Sequence, residues 1–108
     1  MNVGELCEAL GAKAIVMPSP EREITGAYVG DLLSWVMGRA EADSAWVTIM
    51  SNINVIAVAS LSGVACVVFS EGVAPDVDAV RRAELEEINL ISVDKTSYEV
   101  CVALSKLI

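Results

Sequence analysis

Between Ser44 and Ser70 the chain carries no charged residue, and this run of 27 residues limits its fold more than any other feature of the sequence. An uncharged run of that length either crosses a membrane, which takes roughly 20 residues as a helix, or forms the middle of a buried core. Thr48, Ser51, Asn52, Asn54, Ser60 and Ser62 interrupt it, and Gly63 is a helix stop. Its near flanks are Glu41, Asp43 and Glu71, with no Lys or Arg closer than Arg39 and Arg81 to anchor headgroups. These features argue against a membrane span. The run divides instead into strand, helix and strand. Ala45 to Met50 reads as a strand and Ile53 to Leu61 as a helix apolar enough to be buried. Val64 to Phe69 is a β-branched run, the pattern of a strand covered on both faces.

The same alternation continues on either side. Asn2 caps a short helix over Val3 to Leu10, with Glu5 three residues on and Gly11 ending it. Ala14 to Met17 reads as a buried strand stopped by Pro18 and Pro20. Ile24 to Val29 reads as a second extended piece, in which Gly26 marks a bulge or a close approach. Asp31 is expected to cap a helix to about Arg39, on the stripe Leu32, Leu33, Val36 and Met37. Downstream, Pro75-Asp76 opens a helix to about Glu87, with Asp78–Arg82 and Arg82–Glu86 as i,i+4 pairs. Asn89 to Val93 is a short strand, and Thr96 with Glu99 forms a capping box for a last helix to Leu107. About five strands alternating with five helices define an α/β fold. The expectation is a single small domain over residues 1–108, its sheet largely parallel, with helices on both faces.

Composition closes off several functions. Apolar residues are 55% of the chain, enough for a core without metal or disulfide staples. The net charge of −8 is even: residues 1–54 hold seven acids and three bases, residues 55–108 eight and four. Neither half has a basic patch, so nucleic acid is excluded as a partner. There is no histidine, which removes His-based triads and most zinc or haem sites. Cys7, Cys66 and Cys101 are odd in number, widely spaced and set among apolar residues, which reads as buried thiols in a reducing cytoplasm. No cofactor is implied. Met1 to Leu10 holds two glutamates and no basic residue, unlike a signal peptide.

Catalytic motifs are missing as well. The chain has no phosphate-cradling GxxxxGK[ST], no GxGxxG and no GxSxG elbow. Glu86-Glu87 and Asp76 with Asp78 fall at solvated helix positions. What remains is geometrical, because ligands of open parallel sheets bind beyond the carboxyl ends of the strands, where helix N-termini point. Those edges are Ser51 to Asn54, Ser70 to Gly72 and Asp94 to Thr96. Thr48, Asn52 and Asn54 bring polar groups into the most apolar part of the chain; either Asn52 or Asn54 caps the buried helix, or they read a ligand. Lys95, beside Thr96, offers a positive charge at the start of the last helix, and Trp46 and Tyr98 are the aromatic groups nearest in sequence to the helix starts at Asn54 and Thr96.

The run Gly-Ala-Tyr-Val-Gly-Asp-Leu-Leu-Ser at 26–34, with Asn-Val-Ile-Ala-Val-Ala-Ser at 54–60, resembles the DRTGG-domain family, and the likeness covers essentially the whole chain. Glu21-Arg22 stands where the family's aspartate-arginine pair falls. The family is similar to the N-terminal domain of the HPr serine kinase/phosphorylase and, in fold, to the uridine-nucleotide-binding N-terminal domain of peptidoglycan ligases. It also occurs beside adenosine-nucleotide-sensing CBS domains. The resemblance implies an accessory or sensory module, commonly dimeric, and not a kinase, whose P-loop lies in another domain. It assigns Arg22, Thr25, Gly26, Tyr28, Asp31 and Ser34 to one surface, with Thr48, Asn52 and Asn54 adding polar contacts. The expected protein is a cytoplasmic, non-catalytic regulatory homodimer that takes a small ligand such as a nucleotide. The rival is a protein-interaction domain without ligand.

Overall fold

The computed structural model describes residues 1–108. In chain order its elements are α1 (Val3–Leu10), β1 (Lys13–Val16), β2 (Gly26–Val29), α2 (Leu33–Arg39), β3 (Ser44–Thr48), α3 (Asn54–Ser62), β4 (Cys66–Phe69), α4 (Val77–Glu86), β5 (Leu90–Ser92) and α5 (Ser97–Leu107). The strands form one sheet in the order β1-β5-β4-β3-β2. β2, β3, β4 and β5 are parallel, and β1 joins β5 antiparallel at the edge. The uncharged run supplies β3, α3 and β4, and every residue of both strands is buried. None of the helices is long and apolar enough to cross a membrane.

Because β2 to β5 are laid down in one direction across the sheet, their right-handed crossovers place α2, α3 and α4 on the same face. Trp46, Val67, Phe69 and Leu90 point to that face and pack with Val36, Ile56, Ala59, Ala79 and Ala83. The small residues Ala59, Ala79 and Ala83 let these helices lie close to the strands. On the opposite face, Ala45, Val47, Cys66, Val68 and Ile91 meet Val3, Leu6 and Leu10 of α1 and Val100 and Leu104 of α5.

Local signals explain where several elements start. The Asn2 side chain accepts the Glu5 N–H at 2.8 Å while Glu5 accepts the Asn2 N–H at 3.0 Å, and Gly11 ends α1 with φ of 62°. Thr96 and Glu99 make the same reciprocal pair ahead of α5. Other expectations are corrected. Gly26 is not a bulge, since β2 runs in regular register with Ser44–Val47; the irregularity lies in β1, between Ala14 and Val16. Asp31 does not cap α2, whose N-cap is Leu32 with no side-chain bond. Of the two ion pairs expected on α4, only Arg82–Glu86 forms, at 2.8 Å.

Candidate functional site

At the carboxyl edge of the sheet, the polar side chains bind one another and the backbone. Asp31 Oδ1 accepts the Thr48 hydroxyl at 2.8 Å and the Ile49 N–H at 3.0 Å, which ties the end of β2 to the end of β3. Those donors on the neighbouring strand explain why Asp31 leaves the α2 terminus uncapped. Asn52 Oδ1 accepts the Asn54 N–H at 2.9 Å, so Asn52 closes the turn into α3. Asn54 itself is exposed.

The next two loops diverge, β4 leading to α4 on one face and β5 to α5 on the other, the arrangement that opens a crevice in parallel sheets. Here the crevice is closed from within. The Ser70 and Ser97 hydroxyls are 2.7 Å apart, and the Glu71 N–H donates to the Lys95 carbonyl at 2.7 Å. Glu71 Oε2 accepts the Ser97 N–H at 2.8 Å, so a carboxylate of the chain already sits at the positive end of α5. Glu71 holds a left-handed backbone, φ 60°, a strain of order 1 kcal/mol that this bond helps offset. Thr96 Oγ1 accepts the Glu99 N–H, while the Thr96 N–H and hydroxyl both donate to Glu99 Oε1 and, with nearby Lys95, hold the Glu99 carboxyl below its ordinary range.

The remaining residues of the family-like run lie elsewhere. Arg22 is at the amino end of the sheet, where Nη2 donates to Asp43 Oδ1 at 3.0 Å and to the Gly63 carbonyl at 2.6 Å. Its main-chain carbonyl also accepts the Val3 N–H, so Arg22 joins α1 to the end of α3. Thr25 donates its N–H to the Asp43 carbonyl, and Gly26 pairs with Ser44. Tyr28 lies mid-strand against Gly30, where a Cβ would stand 3.0 Å from its ring. Ser34 is exposed on α2. The four residues of β2, about 13 Å of strand, separate Arg22 and Thr25 from Asp31, so these residues do not form one surface.

Three grooves lie beside these residues. One of about 360 Å³ runs between β2 and α5, lined by Thr25, Gly26, Ala27, Val29, Leu104 and Ile108 among others. A second, of about 490 Å³, follows α1 and α5; Lys95, Tyr98, Glu99, Val102 and Lys106 border it at helical spacing. A third, of about 410 Å³, is bounded by Tyr28, Asp31, Trp35 and Arg39, with the guanidinium 3.8 Å above the Trp35 ring. Trp46 is fully buried with Nε1 donating to the Gly30 carbonyl, whereas Tyr98 is 78% exposed. Sequence reasoning missed Lys106, although its spacing from Tyr98 on the last helix was available. It also missed Asn89, a buried side chain joining Ser19 to Ala65.

The three thiols are shifted away from the thiolate form. Burial pushes the Cys66 thiol up to about 12, against the pull of Arg22. Burial also raises Cys7 and Cys101. No three Cys, Asp or Glu side chains come together as a metal site.

The arrangement as a whole is an α/β module whose carboxyl edge is sealed by its own side chains, and known structures share its fold. The CBS and DRTGG domains of the regulatory region of Clostridium perfringens pyrophosphatase, solved with the activator diadenosine tetraphosphate, match with a TM-score of 0.77 at 12% identity. The match covers 95% of this chain and 45% of that one, so this chain spans less than half of its neighbour's length. The fold is therefore DRTGG-like. No family model matches the sequence, and no curated protein matches it either.

Proposed function

We propose that this chain is a non-catalytic regulatory domain of the cytoplasm, working as a homodimer and binding a small anionic ligand of the nucleotide type. The observation that carries the reading is how its charges are used. Asp31, Glu71 and Glu99 serve as internal acceptors, while Lys95 and Lys106 make no ion pair and flank the exposed Tyr98 ring along one groove. That set offers a surface for stacking a base and two cations for phosphates, within a chain whose net charge otherwise repels anions. The nucleotide activator of the Clostridium perfringens regulatory region supports the same ligand class. Among the residues that the sequence singled out, Lys95 is then the direct contact, Thr96 positions the helix start, and Asn54 marks the alternative location.

A nucleotide panel (adenosine and uridine mono- and triphosphates and diadenosine tetraphosphate) tests this by thermal shift. At 100 times the dissociation constant, binding contributes about 2.7 kcal/mol, several degrees for a domain of this size. The shift is expected to vanish in the Lys95→Ala/Lys106→Ala double variant and to persist in Asn54→Ala. A flat response at millimolar nucleotide favours the second reading, an interaction domain without ligand, which the exposed apolar margin of β2 supports.

A further inference from the structure

The sheet has two edges, and the sequence treats them differently. β1 begins with Lys13, loses regular register between Ala14 and Val16, and is followed by Pro18. Charge, irregularity and proline are the means by which sheets block pairing with another chain. β2 has none of them. Gly26-Ala-Tyr-Val29 keeps unbroken register with β3, holds no charge or proline, and has no strand beyond it. Apolar side chains border it on both faces. Toward α5 stand Ala27 and Val29, with Val29 54% exposed and Leu104 and Ile108 across the groove. Toward α2 stand Leu32 and Trp35, 57% and 52% exposed.

We propose that a second copy of this chain docks on the β2 edge, its β2 antiparallel to the first about a twofold axis normal to the sheet. The inference rests on the dimeric reading above and names its surface. Strand pairing over about 13 Å falls well short of the roughly 800 Å² that each partner contributes to a stable interface, so both apolar margins must take part. A second copy brings the same two margins at the same heights: the groove beside α5 meets its equivalent, and the Trp35 side meets the Trp35 side. An added peptide strand covers one strand's width and leaves its own far edge open. Two chains of net charge −8 repel at long range, and Thr25 to Gly30 brings no charge of its own to the paired strands.

Light scattering and sedimentation of the full chain over a hundredfold dilution test the surface. A dimer is expected for the native chain. Val29→Lys should weaken it at least about a hundredfold, and Ala14→Lys on β1 should leave it intact. Leu32→Glu, outside the strand, serves should Val29→Lys fail to fold by circular dichroism. Trp35 emission should move to the red on dilution, a signal that fully buried Trp46 does not give. A dimer that persists in folded Val29→Lys and Leu32→Glu overturns the assignment of the edge while the dimeric reading stands. A monomer at every concentration overturns both.

Discussion

One face of the sheet carries three helices and the other carries two, and most of what this molecule offers a partner follows from that difference. Five strands about 4.8 Å apart span roughly 19 Å between the outer axes, and helices pack 8–10 Å apart. Three helices cover that width, so the core under α2, α3 and α4 draws residues from β1, β3, β4 and β5, with Tyr28 of β2 at its border. Two helices do not. The core under α1 and α5 draws its buried strand residues from β3, β4 and β5, and Ala27 and Val29 of β2 are left beside open space. The groove is thus a product of helix count and not of any unusual side chain.

The helix ends differ in the same way. α1 and α5 carry complete capping boxes, whereas α2, α3 and α4 have no N-cap side-chain bond. Each of the latter is strung between two parallel strands, so sheet and chain fix both of its ends. α1 and α5 lie on the face with fewer helices, where a box contributing about 1 kcal/mol matters more.

The comparison is broken most severely in the cores. Phe69→Ala on the three-helix face and Leu6→Ala on the two-helix face each remove a fully buried side chain, and each should cost about 3–4 kcal/mol in urea unfolding. Leu104→Ala should cost less, about 2 kcal/mol, because the space it vacates merges with the groove and admits water. Equal losses at Leu6 and Leu104 would mean that the groove is closed in solution.

Arg22 couples the two faces, its carbonyl serving α1 and its guanidinium the end of α3. A hydrogen bond to a charged donor contributes about 1.5–3 kcal/mol, but the ion pair with Asp43 is half exposed and adds little. Arg22→Ala keeps the carbonyl that Val3 uses and removes the guanidinium, so it is expected to cost about 1–2 kcal/mol, with hydrogen exchange quickening at the end of α3 more than at the start of α1. Equal quickening at both sites would show that the guanidinium also holds the α1 contact in place.

What was legible in the sequence was local. The capping boxes lie within four residues, and the alternation of apolar strands with helices gave the element order and the parallel sheet. Asp31 reads as a cap because caps are local, yet its partners are Thr48 and Ile49 at the end of the next strand. Glu71 at the start of α5 and Arg22 at Gly63 join residues 26 and 41 apart, a distance at which no spacing rule operates. The groove depends on which face each helix takes, which is a property of the topology. Gly26 carried a real irregularity signal, but register with Ser44 absorbs it without a bulge.

The smallest expected effect concerns the cap of α5 and isolates charge from shape. Glu99 is fully solvent-exposed, and its carboxyl is held low first by the Thr96 N–H, then by the Thr96 hydroxyl, with Lys95 adding to both. A carboxyl whose folded pKa lies below its unfolded value contributes stability above the unfolded pKa and loses it as pH falls through the folded one. Glu99→Gln keeps an acceptor for the Thr96 N–H but has no charge to titrate. Its melting temperature should therefore lie slightly below that of the native chain at neutral pH, and the gap should close in acid. In Thr96→Ala the Glu99 carboxyl should titrate closer to the ordinary range, as followed by carbon NMR of the side chain. A gap that stays constant from neutral pH into acid would assign the effect of Glu99 to packing and remove its charge from the account of α5.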